Sequence, residues 1–127
     1  MTIKIPKLDN KYYLKIVLLL KMAQNVFEIT AKDFDNFTKN GFVLVDFFAD
    51  WCMPCLIMAP IMEELGKKFK DKIKFGKIDI DENNEIPQKF RIFSIPNFIL
   101  FKDGKEAARF VGAMSADDFE NKLKKYL

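Results

Sequence analysis

A nearly continuous apolar run, Phe42 to Phe48, constrains the fold of this chain more than any other segment. Asp46 is its only charged residue. Such a run is typical of a strand buried on both faces, as in a sheet that helices cover on each side. The segment from Pro54 to about Phe69 then has apolar residues at helical spacing. A buried strand therefore leads into a helix, and Cys52 and Cys55 fall at the junction.

The rest of the chain from residue 25 alternates between strand and helix patterns. Strands are predicted at Val26–Ile29, Ile73–Ile80, Asn97–Phe101 and Lys105–Val111, and helices from Thr30, over residues 83–90 and from Ser115. Thr30 and Asp33 resemble a capping box, and Ser115 is a second helix cap. Asp103-Gly104 predicts a tight hairpin. Strands joined by helices favour parallel pairing, so the prediction is an α/β fold with a mixed sheet and helices on both faces.

Composition agrees with one globular domain. Of the 127 residues, 50% are hydrophobic and 31% are charged, and fourteen are phenylalanine. This balance is that of a folded rather than a disordered chain. We expect a core built largely from aromatic rings, to which Phe27, Phe69, Phe75, Phe90 and Phe119 belong.

Residues 1–24 differ from the rest and are interpreted as an N-terminal extension, with the domain at residues 25–127. They carry five lysines and one aspartate, and Lys11 to Gln24 reads as a helix capped by Asp9 or Asn10. Its longest uncharged run is far shorter than the roughly 20 residues of a bilayer span, and it fits a signal peptide poorly. We expect it to dock on the domain or a neighbouring chain. A membrane-surface helix and a start at Met22 are alternatives.

Two absences narrow the chemistry. The chain has no histidine, so no mechanism can use an imidazole base. Its two cysteines cannot supply the four ligands of a structural zinc site, which leaves only a metal shared between two copies. No basic patch of the kind used for nucleic-acid binding is evident.

The segment Trp51-Cys52-Met53-Pro54-Cys55 carries the chemistry. Two cysteines three positions apart across the first helical turn can close a disulfide with little backbone movement. The helix dipole favours the thiolate of Cys52, which is the nucleophilic form. Cys52 is therefore predicted to attack a substrate disulfide and Cys55 to resolve the mixed disulfide. A purely structural bridge is the weaker reading, because such bridges usually join distant segments.

Residues 43–60 resemble the active-site segment of the thioredoxin family, and the similarity extends over about residues 25–127. Four further positions match: Asp46, Lys77, the Ile95-Pro96 pair and Gly112. The resemblance implies that Asp46 is a buried carboxylate that exchanges the proton of Cys55, and that Lys77 is its partner. It also implies a cis bond before Pro96.

The substrate-binding surface that we predict beside the cysteines combines residues of the cysteine motif with residues from later in the chain. The first are Trp51, Met53 and Pro54, and the second are Ile95, Pro96 and Gly112. Trp51 would give partner peptides a flat apolar platform. Met53 stands where the family usually has glycine, and Leu56 where it often has a cation. Phe48 and Asn97 also depart from the usual residues.

The resemblance implies a cytoplasmic protein-disulfide reductase that works without a cofactor of its own. Its partners would be protein disulfides and a thioredoxin reductase as electron donor. We expect a monomer, with a dimer through the extension as the alternative. Two other functions stay open at this point: an oxidase or isomerase of an oxidising compartment, and a binding module that uses the apolar surface without redox chemistry.

Overall fold

A computed structural model describes residues 10–22 and 24–127 of the chain. Its helices are α1 (Asn10–Met22), α2 (Ala31–Thr38), α3 (Met53–Lys68), α4 (Glu85–Lys89) and α5 (Ala116–Lys124). Its strands are β1 (Val26–Glu28), β2 (Phe42–Phe48), β3 (Ile73–Asp79), β4 (Asn97–Lys102) and β5 (Lys105–Val111). The predicted elements all occur, with ends that differ by one or a few residues. The suggested cap Asp9 lies outside the described residues.

The five strands form one mixed sheet in the order β1-β3-β2-β4-β5. The first three in that order run parallel, and β4 and β5 run antiparallel to their neighbours. β2 is central, because it bonds to β3 on one side and β4 on the other. The predicted α/β fold with a mixed sheet is confirmed.

The sheet separates two apolar layers. On one face, Leu44, Phe98 and Leu100 pack with residues of α3 and α5, including Met58 and Phe119. On the other face, strand residues such as Val45 and Phe47 pack with α2 and α4. We call these the α3 face and the α2 face. Alternating side chains of β2 enter both layers, which explains why the sequence of β2 is apolar without a period.

The sequence predicts one tight turn and two helix caps. The turn and one of the caps form as predicted, and the other cap does not. Asp103 and Gly104 both have positive φ, of 50° and 82°, as a two-residue hairpin turn requires. The Ser115 side chain accepts a hydrogen bond from the Asp118 N–H and caps α5. Thr30 precedes α2, but its hydroxyl donates to the Asp33 carboxylate rather than accepting from a backbone N–H. The capping box expected there is therefore not formed.

Most of the predicted core residues are buried. Phe69, Phe75 and Phe119 are buried, and the half-buried Phe90 packs against the α2-face cluster. Phe27 is the exception, with 41% of its surface exposed. Its strand β1 lies at the edge of the sheet, where its ring has the Phe37 ring beside it and solvent beyond.

Helix α1 stands apart from these layers. Its large apolar side chains are exposed, including Tyr12 at 59%, Leu14 at 67% and Leu19 at 59%. No described element covers them, so the docking on the domain that we expected from the sequence is not seen. No helix in the described part of the chain is long and apolar enough to cross a membrane.

Candidate active site

The two cysteines lie where β2 leads into α3. Cys52 is the N-cap residue of α3, and the backbone N–H of Cys55 donates a hydrogen bond to Cys52 Sγ at 3.3 Å. The two residues form a disulfide with their Cα atoms 5.2 Å apart. Met53 and Pro54 are the first residues of the helix, and Pro54 leaves no N–H unsatisfied there. A thiolate at Cys52 would meet a backbone donor and the positive end of the helix dipole.

A cavity behind the cysteines contains the buried carboxylate. Asp46 is 4% exposed, and its Oδ1 has no hydrogen-bond partner in the described structure. It lines a cavity of about 180 Å³ together with Cys55, Lys77 and Glu63. The cavity has room for several water molecules, which could link the carboxyl group to the Cys55 sulfur. Burial raises the pKa of Asp46 from its usual 3.8 to about 7, although the charge of Lys77 acts to lower it.

Lys77 lies beside Asp46 on the neighbouring strand. The two residues are register partners of β2 and β3, and both line the same cavity. Among the described residues they form no ion pair within 4.0 Å, and Lys77 Nζ lies 5.6 Å from the centre of the Phe48 ring. Lys77 is half-buried. Lys77 therefore lies near the carboxyl group without an ion pair to it, and its role as the partner of Asp46 stays a prediction.

The predicted loop at Pro96 lies against the cysteines. The Ile95–Pro96 bond is cis, and Ile95 O lies 3.9 Å from Cys52 Sγ. The N–H of Gly112 donates to Pro96 O at 2.8 Å. Gly112 has a φ of 93°, a conformation that glycine adopts without steric cost. The end of β5 thus holds this loop beside the cysteines.

The apolar residues next to the cysteines are open to solvent. Trp51 is 70% exposed and Met53 65% exposed, in contrast to Cys52 and Cys55, which are both buried. The Trp51 Nε1–H donates to Asp81 Oδ2 at 2.7 Å, which fixes the ring over the end of β3. This rim of apolar side chains around two buried sulfurs can receive another protein.

Three residues near the site were missed by sequence reasoning. Asp81 orients Trp51, and no local pattern around Asp81 marks that contact. Phe93, two residues before Ile95, is 90% exposed, which is unusual for so large an apolar side chain. Glu63 lines the Asp46 cavity from α3. An aromatic residue in an aperiodic loop before Ile-Pro was the one available signal for Phe93. Ala59, one of the apolar residues at helical spacing in α3, is exposed and lines the cavity.

Comparison with known proteins agrees with this geometry. A family model described as Thioredoxin matches residues 25–125. A thioredoxin of Chlamydia pneumoniae is 44% identical over 98 residues, which cover 77% of this chain and 95% of that protein. A thioredoxin of Staphylococcus aureus is 38% identical over 102 residues, covering 80% of this chain and 98% of its own. These findings confirm the fold class and the activity predicted from the cysteine motif. The chain therefore belongs to the thioredoxin family, whose members are thiol–disulfide oxidoreductases.

Proposed function

We propose that the Cys52–Cys55 pair reduces protein disulfides, with Cys52 as the attacking sulfur. The thiolate of Cys52 attacks one sulfur of the substrate disulfide and forms a mixed disulfide, and the other substrate sulfur leaves as a thiolate that takes a proton from water. Cys55 then attacks Cys52 Sγ and releases the second substrate thiolate. Two electrons pass to the substrate, and the enzyme is left with its Cys52–Cys55 disulfide. The hydrogen bond from the Cys55 N–H to Cys52 Sγ is the observation that carries this assignment.

Asp46 is proposed to take the proton that Cys55 loses when it attacks. A carboxyl group with a pKa of about 7 can accept and return a proton near neutral pH, which an ordinary aspartate does poorly. Its place in the cavity that also reaches Cys55 supports this role. Lys77 is proposed as a positioning residue that limits how far burial raises the pKa of Asp46.

The partner-binding surface is proposed to consist of Trp51, Met53, Pro54, Ile95, Pro96 and Gly112. The exposure of Trp51 and Met53 supports this, as does the position of Ile95 O beside Cys52 Sγ. An extended substrate segment could lie along this loop with its disulfide at Cys52. An apolar surface of this kind favours substrates whose disulfide is flanked by large apolar side chains.

The cellular setting is also a proposal. We propose a cytoplasmic reductase whose disulfide is reduced again by a thioredoxin reductase. We further propose that residues 25–127 form the catalytic domain and residues 1–24 an extension to it. The domain is proposed to act as a monomer, with a dimer through the extension as the alternative. The match of the family model to residues 25–125 supports the domain boundary.

Trapping the intermediate tests the two sulfur roles. Cys55→Ser, mixed with an oxidised protein substrate such as insulin, should accumulate a mixed disulfide through Cys52, visible by non-reducing mass spectrometry. Cys52→Ser should trap at least tenfold less, because the remaining thiol of Cys55 lies within the first turn of α3 and not at the N-cap, where a backbone N–H stabilises the thiolate. Equal trapping by both variants would reject the assignment.

The direction of electron flow needs a second measurement. Equilibration of the native protein in graded thiol buffers gives the reduction potential of its cysteine pair. We expect a value near the roughly −270 mV of thioredoxin, as a reductase requires. A value near the roughly −180 mV of protein disulfide isomerase would instead support an oxidase or isomerase.

A further inference from the structure

The end of the sheet that bears the cysteines is acidic. The segments at the ends of β2 and β3 there, residues 49–51 and 79–85, contain no lysine or arginine. Their five carboxylates are Asp50, Asp79, Asp81, Glu82 and Glu85. We call this the acidic end.

The opposite end of the sheet is basic. Segments 39–41, 66–74 and 102–105 contain eight lysines against two aspartates. The sheet register joins them, because Phe42 pairs with both Ile73 and Lys102. The Gly41 N–H also donates to Asp103 Oδ1 at 2.8 Å. One of the eight, Lys68, pairs with Glu120. We call this the basic end.

An open cavity of about 600 Å³ lies at the basic end, where the extension meets the domain. Its lining includes Lys67, Lys70 and Lys74, together with Gln24 and Asn25. Because α1 ends at Met22, the chain enters the domain directly beside these lysines. The half-exposed ring of Phe27 lines the same cavity. The basic end and the last turn of α1 are therefore close along the chain.

Helix α1 itself combines lysines with a broad apolar side. At 100° per residue, positions 12, 13, 16, 17 and 19 form one apolar arc, and Lys11 and Lys15 lie outside it. Leu14 and Leu18 also lie on the lysine side. The helix contains no acidic residue. Tyr12, Ile16 and Leu19 of the arc are exposed. Exposed apolar residues beside lysines are typical of helices that lie in the interface of an anionic membrane.

We propose that α1 and the basic end form one surface that binds anionic lipid membranes. Thirteen residues of helix extend roughly 20 Å, less than the roughly 30 Å of a bilayer core, so α1 would lie in the interface rather than cross it. The lysines of the basic end would add attraction to lipid headgroups. The cysteines, at the acidic end, would face away from the membrane and stay open to partner proteins.

Charge argues against a second copy of the chain as the occupant. The acidic surface that would complement α1 and its lysines surrounds the cysteines. A neighbouring α1 bound there would therefore cover Trp51 and the redox pair. A membrane bound to the same basic surface would leave Trp51 and the redox pair uncovered.

Vesicle flotation of the full chain tests the proposal. The probe is phosphatidylcholine vesicles with and without 30% phosphatidylglycerol, at low salt. We expect binding at least tenfold stronger to the anionic vesicles, and weaker binding as salt rises. Ile16→Asp with Leu19→Asp should abolish binding, because both place charge in the apolar arc. Lys70→Glu with Lys74→Glu should weaken it at least tenfold, since each lysine near an anionic surface contributes about fivefold.

The matched control is Lys32→Glu with Lys89→Glu, which makes the same change of charge away from α1 and the basic end. It should bind at least threefold more tightly than the Lys70, Lys74 variant. Circular dichroism and insulin reduction check that every variant is folded. The proposal is overturned by three results: no binding, equal binding to neutral vesicles, or no difference between the two lysine pairs. Lipid-free association of α1 in sedimentation that competes with vesicle binding would instead support the second copy.

Discussion

The two faces of the sheet differ in what they bury. The α2 face is an aromatic layer, in which the Phe34 ring lies 5.3 Å from Phe90, 5.6 Å from Phe101 and 6.4 Å from Phe47, between ring centres. The α3 face contains a carboxylate with an oxygen lacking a hydrogen-bond partner and a cavity of about 180 Å³. A buried unpaired polar group and incomplete packing both lower stability. Both faces stabilise the fold, since the α3 face has its own ring pair Phe98–Phe119 at 4.8 Å, but only the α3 face includes this costly region around the carboxylate that we propose for proton transfer.

The largest effect should come from the α2 face. Phe34→Ala should lower the free energy of unfolding by about 3–5 kcal/mol, because the 1%-exposed ring would leave a cavity among three other rings. Urea denaturation measures this loss. The reduction potential should not change, because Phe34 is on the face away from the Asp46 cavity.

Phe34→Leu is the milder companion if the alanine variant does not fold. It should lower the free energy of unfolding by about 1–2 kcal/mol, as a smaller apolar replacement does. A loss of stability below the error of the measurement, or a shifted reduction potential, would show that the two faces are not separable.

The next effect should come from Asp46→Asn, and it should increase stability. Folded protein holds the Asp46 proton up to about pH 7, whereas unfolded chain loses it near 3.8. The free energy of unfolding therefore falls as pH rises between these values and levels off above pH 7. Asp46→Asn removes the ionisable group. It should therefore raise the free energy of unfolding by about 2–4 kcal/mol above pH 7 and leave this free energy unchanged below pH 4. Denaturation at several pH values measures this difference.

The same variant should slow the release of substrate from the Cys52 mixed disulfide at least tenfold near neutral pH. Lys77→Met is the matched variant, because it keeps the carboxyl group and removes the nearby cation. It should raise the pKa of Asp46 and move the pH midpoint of release upward, measured by stopped-flow. Unchanged release in Asp46→Asn would remove Asp46 from the mechanism.

The smallest effect should come from a phenylalanine on neither face. Phe93→Ser should change the free energy of unfolding by less than about 0.5 kcal/mol, because the ring is 90% exposed. Its kcat/KM should fall about three- to tenfold for a peptide disulfide flanked by leucine, and little for one flanked by serine. Leu127→Ser, another exposed apolar residue, is the control and should affect neither substrate. An equal loss of kcat/KM for both peptides would mean that Phe93 does not contact the apolar residues that flank the substrate disulfide.

The fold was predictable wherever local pattern and topology agree. The apolar run of β2, the strand–helix alternation and the Asp103-Gly104 turn fixed the mixed sheet. Cap positions were less secure, since the Thr30 hydroxyl finds a partner in the Asp33 side chain itself. Phe27 was misassigned because its burial depends on the place of β1 in the sheet order, which the sequence of β1 does not encode.

The site was predictable for residues within the motif and less so for those that meet it in space. Cys52, Cys55 and Pro96 have local signatures. The approach of Lys77 to Asp46 depends on the register of β2 and β3. The alternation of side chains along β3 alone does not say whether Lys77 points toward Asp46 or into solvent. Asp81 belongs to a loop without a period, so only the folded chain brings it to Trp51. Phe93 is close to Ile95 in the sequence, but its exposure is seen only in the folded chain.

The central place of β2 also determines how the site responds to thermal opening of the structure. β2 bonds to a neighbour along both edges, and Val43 to Val45 are fully buried. Amide hydrogens in such a strand exchange with solvent mainly when the whole domain unfolds. In deuterated water, the strand that carries Asp46 and leads to Cys52 should therefore be among the last to exchange, after the exposed loop at Phe93. On this expectation the redox centre is anchored to the most slowly opening part of the domain, while partners meet an exposed rim that should adjust on a much shorter timescale.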